Sequence, residues 1–394
     1  MAPTLTTLDD AWSAWVAGRP EEAMQRCVGI LEADGAQVTA ASLLAQLLVA
    51  REVKGAAQLA GRLAEVFVDR GDLPTAVVLA KASGGGTKKV AAAFGKGSRR
   101  LAAIAPVPPP LPPGSVPAIG EKGQALVQRA MAVLAAGPTS TGVTQVPELP
   151  LFSGLPPAAL EQLLDAFEVR HVSLGAVVVE EGLDGSEAFV VVRGQLRAVR
   201  GDEEQLLAEL GPGAIFGEMA LVSGAPRAAS VIAVEPVQLL VATVNALEKL
   251  ATKSPAIGEQ LSAFCRSRMI ANLVRHSRIL GSVAPAEREA LIERFRTRSF
   301  EQGQQLVGRG DETDGLFLIA SGQVRVTGQD SDGDELVVAE LGPGDVVGEG
   351  SLVLRRPATA DVVATHHTVA LELTRDEFQA AIRQYPQLLG ELYD

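Results

Sequence analysis

From about Leu8 to Lys81 the apolar positions, mostly Ala and Leu, recur at three- and four-residue spacing, which predicts short amphipathic helices. Breaks at Gly18-Arg19-Pro20, Asp34-Gly35, Lys54-Gly55 and Gly71-Asp72 divide the run at about half-repeat spacing, which predicts helical hairpins. From Leu149 the period shortens. Segments such as EAFVVVRGQLRAV (187–199) and GLFLIASGQVRVT (315–327) read as strands, with Gly at the turns, and each run of strands ends in a helical stretch. The expected fold class is multidomain α+β: N-terminal α-helical hairpins followed by two antiparallel β jelly-roll barrels with flanking helices.

The strand-rich part is a tandem repeat. Phe152, Phe167, Gly175 and Gly194 correspond to Leu280, Phe295, Gly303 and Gly322 at a constant offset of 128. The second copy then gains three residues, and Gly217 and Glu218 meet Gly348 and Glu349 at an offset of 131. The pentapeptide ELGPG occurs in both copies at that second offset.

Between the two patterns lies SGGGTKKVAAAFGKGSRRLAAIAPVPPPLPPGSVPAIG, a Gly-rich start joined to a Pro-rich end, which predicts an extended, mobile connection. Val90, Phe94, Leu101 and Ile104 would line one face of a transient basic helix, opposed by Gly95 and Gly97. A further helix is expected near 121–136. The expected domains are therefore a helical-hairpin domain (1–84), a basic Pro/Gly-rich linker (85–148), a first barrel (149–272) and a second (273–394).

The candidate chemistry is concentrated in FGEMALVSGAPRAAS, Phe216 to Ser230. Gly217 permits close backbone approach, and a helical turn over Glu218-Met219-Ala220-Leu221 would present free N–H groups to an anion. Arg227 would close on a phosphate as a charge-assisted fork, while the acceptor Glu218 suits a ribose hydroxyl. The ligand class is a small nucleotide with one phosphate charge.

This segment resembles the phosphate-binding cassette of cyclic-nucleotide-binding domains, especially those of the regulatory subunits of cAMP-dependent protein kinase. The resemblance implies that Glu218 binds the ribose 2′-hydroxyl and Arg227 the cyclic phosphate, with Gly217 and Ala220 as backbone donors. Phe216, Met219, Ala228 and Ser230 complete the expected site. In that family a Ser or Thr after the arginine favours cGMP; Ala228 stands here, so cAMP is the expected ligand over cGMP. In the second copy, Gly348 and Glu349 remain, but the phosphate arginine falls on Ala358. Loss of that charge-assisted bond removes about 1.5–3 kcal/mol, which makes the second site degenerate. Arg355 and Arg356 precede a turn proline and are expected to face solvent.

Charge sharpens the picture. The net charge is −12, yet Leu73 to Gly120 contains no acid and six bases, leaving −18 for the rest. The folded parts should repel nucleic acid, and any polyanion contact should fall on that basic stretch. Cys27 and Cys265 are expected to be buried free thiols, and the four histidines show no metal-ligand spacing. No nucleophile elbow, Walker loop, kinase signature or metal motif points to an enzyme, and no cofactor is implied. The N-terminus lacks a signal peptide and no apolar run is long enough to span a bilayer, so a cytoplasmic location is expected.

Tandem domains of this type resemble two users, kinase regulatory subunits and catabolite-activator-type transcription regulators. A helix-turn-helix would follow the last barrel, and the chain offers TRDEFQAAIRQYPQLLGELYD to its end, so sequence-specific DNA binding is not expected. Arg99, Arg100 and Ala102 resemble the Arg-Arg-x-Ala inhibitor sequence of kinase regulatory subunits, with Ala102 in place of a phosphorylated serine. AWVAGRPEEAM and LAEVFVDRGDLPTAVVLAKA resemble tetratricopeptide-type turns, implying partner contact, with a helical packing or homo-oligomerisation domain as the alternative. The expected function is a cAMP receptor coupled through the first barrel to a protein partner, a kinase being the candidate. The alternative is a scaffold with vestigial nucleotide sites.

Overall fold

The punctuation of the N-terminal region is written in its turns. Thr7 and Asp10 cap the first helix reciprocally, each side chain accepting from the other's backbone N–H at 3.2 and 2.7 Å. Gly55, at φ +87°, supplies a left-handed residue directly before a helix, a conformation that disfavours any side chain. The computed structural model describes residues 7–97, 120–136, 149–201, 203–219, 226–312, 315–329, 335–354 and 356–392. Its helices α1 (Leu8–Val16), α2 (Pro20–Ala33), α3 (Val38–Ala50), α4 (Ala56–Asp69) and α5 (Leu73–Ala82) begin and end at the sequence breaks. Consecutive helices pack on one another. Met24, Leu43, Leu44, Leu47, Phe67 and Leu79 are buried among them, each contributing about 1.5–3 kcal/mol of apolar burial.

One helix replaces part of the extended connection, and a second forms where a helix was expected near 121–136. Helix α6 (Lys88–Gly97) buries Val90 and Ala91 and packs on α4, α5 and the helix Pro157–Asp165. Thr87, fully buried, donates to Asp165 Oδ1 at 2.7 Å. Helix α7 (Gly123–Ala136) places Leu126, Ala130 and Leu134 on one face, packed against α2 and α3, and is pinned by Arg129 to Glu32. Short apolar stripes thus outweigh the flanking glycines once a packing surface is present. Leu101, Ile104, Arg99, Arg100 and Ala102 lie outside the described residues.

The first barrel contains strands β1 (Glu168–Val172), β2 (Val177–Val179), β3 (Glu187–Arg193), β4 (Leu196–Arg200), β5 (Gln205–Leu210), β6 (Ile215–Phe216), β7 (Ser230–Ala233) and β8 (Val237–Thr243). They form two four-stranded antiparallel sheets, β1-β8-β3-β6 and β2-β7-β4-β5, which share a core of Val172, Val179, Phe189, Val191, Leu196, Phe216, Val231 and Leu239. The second barrel contains β9 (Arg296–Phe300), β10 (Gln305–Val307), β11 (Gly315–Ser321), β12 (Val324–Gln329), β13 (Glu335–Leu341), β14 (Val346–Val347), β15 (Asp361–Ala364) and β16 (Thr368–Thr374). Its sheets, β9-β16-β11-β14 and β10-β15-β12-β13, repeat the first barrel strand for strand.

The described chain divides into two compact units. One comprises Met1–Glu181, Glu187–Phe216 and Ala228–Leu261, which groups the N-terminal helices with the strands of the first barrel. The other comprises Gly182–Ser186, Gly217–Arg227 and Ser262–Asp394.

Candidate nucleotide site

Strand β6 ends at Phe216, and the chain turns through Gly217 at φ +77°. Glu218 follows, buried at 4% exposure, and its Oε1 accepts from Arg268 Nε at 2.9 Å. Its backbone carbonyl faces the Cys265 thiol at 3.9 Å. Burial and the nearby Glu218 charge push the Cys265 thiol up to about 11, so it is protonated and serves as a weak donor. Met219 packs against an apolar cluster that includes Met269 and Leu273. Cys265, Arg268, Met269 and Leu273 all lie on the helix Pro255–His276, whose second half therefore clasps the start of the loop.

Arg227 returns to the same place. Its Nη1 donates to the Gly217 carbonyl at 2.9 Å, which aims the guanidinium at the head of the loop. Its backbone is locked by a reciprocal pair: Arg227 N donates to Leu183 O, and Gly182 N donates to Arg227 O, each at 2.9 Å. Gly185 makes room for the side chain, since a Cβ there would fall 1.8 Å from Arg227 Nε. The half-buried Arg227 guanidinium is thus held at the Gly217 carbonyl, one residue before the buried Glu218 carboxylate that Arg268 pairs. Glu218 has two oxygens, so it can accept from Arg268 and from a ribose hydroxyl at once.

The second barrel reproduces the frame without the charge. Ala358 N donates to Asp311 O at 2.9 Å and Gly310 N to Ala358 O at 2.8 Å, the same pair shifted by 131 and 128 residues. Ala358 packs against the barrel core. Gly348, at φ +84°, and Glu349 at the start of the helix Glu349–Leu354 keep their places, and Arg356 is exposed. Ser230 Oγ accepts from Glu181 N at 3.0 Å; in the second barrel Asp361 Oδ1 accepts from Arg309 N at 2.9 Å, so a carboxylate stands where the first copy has a hydroxyl.

Of the expected site residues, Gly217, Glu218, Met219 and Arg227 are brought together. Phe216 is buried in the first barrel, stacked on Phe189, and Ala228 is exposed, with its carbonyl accepting from Arg200. Ala220 lies outside the described residues. Sequence reasoning missed Gly185, Cys265 and Arg268. The repeat held a signal for Gly185, whose counterpart at offset 128 is Thr313. Arg268 and Cys265 had none, because some fifty residues separate them from Glu218.

Both barrels match one family model. It is the cyclic nucleotide-binding domain, over residues 169–254 and 297–385. The chain is 29% identical over 252 residues to a cAMP-dependent protein kinase type II regulatory subunit of Drosophila melanogaster, a match that covers 64% of this chain and 62% of the relative. It thus spans less than two thirds of that relative's length. Among solved structures it is similar to the regulatory domain of Toxoplasma gondii PKA with cAMP, at 25% identity, covering 61% of this chain and 91% of that one, with a TM-score of 0.30. A regulatory subunit of a cAMP-independent protein kinase A from Trypanosoma brucei matches at 25% identity, covering 61% and 86%, with a TM-score of 0.29. Two segments in tandem thus match the cyclic nucleotide-binding domain, and the chain is similar in sequence to a kinase regulatory subunit. Among the described residues no helix is long and apolar enough to cross a membrane, no group of His, Cys, Asp or Glu could hold a metal ion, and both cysteines are buried and free.

Proposed function

We propose that this protein is a cyclic-nucleotide receptor of the regulatory type, in which the first barrel takes cAMP and the second lends structure. The carrying observation is the pair Arg227 and Ala358, held by the same backbone hydrogen bonds with a guanidinium on one side and a methyl group on the other. Arg227 would bind the cyclic phosphate and Glu218 the ribose 2′-hydroxyl, with Gly217 and Met219 shaping the loop. Ala228, offering no hydroxyl after the arginine, favours cAMP over cGMP. The ion pair Glu218–Arg268 supports coupling of occupancy to the helix Pro255–His276, since a ribose hydroxyl on the same carboxylate shares it with Arg268 on that helix. The partner would be a protein, and the similarity to kinase regulatory subunits favours a protein kinase.

The test is calorimetric titration of the full chain with cAMP and cGMP. One cAMP per chain is expected, bound more tightly than cGMP, and Arg227→Ala should weaken it roughly 10- to 100-fold, the equivalent of about 1.5–3 kcal/mol. Unchanged affinity in that variant would move the site elsewhere, and no binding at all would leave the scaffold reading.

A further inference from the structure

The chain has two tryptophans, Trp12 and Trp15, and α1 lays both against sheet β1-β8-β3-β6 of the first barrel. Asp9 forms an ion pair with Arg193 at the end of β3, and the Arg193 guanidinium lies 4.9 Å from the centre of the Trp12 ring. The Trp15 ring lies 4.3 Å from His171 on β1. Behind them Gln238 on β8 donates to Gln46 on α3 at 2.7 Å and contacts His171 Nε2 at 2.9 Å. Only 14% of the Arg193 side chain is exposed, so Asp9 and Trp12 replace the water that would otherwise solvate its charge. Trp12 Nε1 is buried with no hydrogen-bond partner among the described residues. A seam that leaves a donor unsatisfied is held at less than full strength, as a contact that opens should be.

Strand β3 joins this seam to the nucleotide loop. Its last residue is Arg193. Four residues earlier Phe189 stacks on Phe216, with ring centres 4.7 Å apart and planes 11° apart, and Phe216 is bonded to Gly217. Phe189 is fully buried, so close packing leaves little room for Phe216 to move without moving β3.

We propose that the N-terminal helices form an intramolecular regulatory domain seated on the first barrel, and that their docking is linked through β3 to occupancy of the nucleotide loop. The linkage rests on the receptor reading above. Because both tryptophans lie in the seam, intrinsic fluorescence of the full chain reports docking without a label. Saturating cAMP is expected to shift the emission maximum. By reciprocity, loosening the seam with Arg193→Ala or Asp9→Asn is expected to change the cAMP dissociation constant by about fivefold or more. Asp9 is exposed, so Asp9→Asn keeps the test valid if Arg193→Ala fails to fold, with circular dichroism confirming the fold. Binding in the parent chain with unchanged emission, and unchanged affinity in the folded variants, overturns the linkage and leaves the receptor reading standing. Absence of binding in the parent chain overturns both.

Discussion

Gly185 has no side chain where the Arg227 guanidinium passes: a Cβ at that position would lie 1.8 Å from Nε and 2.1 Å from Cζ. The atoms displaced belong to the far end of a flexible side chain, so Gly185→Ala should leave stability nearly intact while pushing Arg227 off the Gly217 carbonyl. Thermal melts of parent and variant should agree, and calorimetry should show cAMP bound roughly tenfold more weakly, in line with a lost charge-assisted bond of about 1.5–3 kcal/mol. An equal affinity would show that Arg227 reaches the ligand by another path.

The second barrel differs at both ends of this relationship, with Ala358 in place of Arg227 and Thr313 in place of Gly185. Restoring the arginine alone should therefore be insufficient. Ala358→Arg is expected to leave one cAMP per chain, whereas Ala358→Arg combined with Thr313→Gly should add a second, weaker site. The calorimetric stoichiometry distinguishes the two outcomes.

Arg268 compensates a carboxylate that is almost entirely withdrawn from water. Arg268→Ala strands that charge, and because Arg268 itself is more than a third exposed the loss is discounted to about 1–2 kcal/mol. Urea denaturation should show a lower midpoint for Arg268→Ala. Glu218→Gln in the same background should recover part of the loss, because it removes the stranded charge.

Acid should loosen the seam between α1 and the first barrel. His171 is packed among Trp12, Trp15, Gln238 and Gln46, with Arg193 and Asp9 on the same patch, and burial holds its pKa below the usual value. A histidine whose folded pKa is depressed favours the neutral ring when docked. The docked state is therefore at full strength above its ordinary value of about 6.5 and weakens as pH falls below it. Tryptophan emission should shift to the red on acidification from about pH 6.5 to 5, and His171→Gln should flatten that response. An identical pH profile in the variant would assign the transition to another group.

Much of this was legible because local rules and global packing agree. Gly18, Gly55 and Gly71 mark helix boundaries by their positive φ, and the helices end where those residues fall. The repeat offset, read from a handful of glycines and phenylalanines, became a set of hydrogen bonds: Gly175 N to Ala233 O at 2.8 Å and Gly303 N to Ala364 O at 2.7 Å differ by the same 128 and 131. The stretch directly after Ser83, expected to be extended, holds α6. Val90 and Ala91 are too few apolar positions to announce a buried helix, and α6 became one only against surfaces supplied by distant residues, whereas α7 forms where a helix was expected.

By itself the sequence determined the repeat, the strand and helix periods, and the charge asymmetry between Arg227 and Ala358, because each depends on residue identity at a fixed spacing. Only the tertiary structure decided that Arg268 holds Glu218, that Gly185 admits Arg227, and that α1 covers β3 through Asp9 and Trp12. These contacts join residues some forty to nearly two hundred positions apart. At such separations spacing carries no information, and the partner is chosen by which surfaces packing brings together.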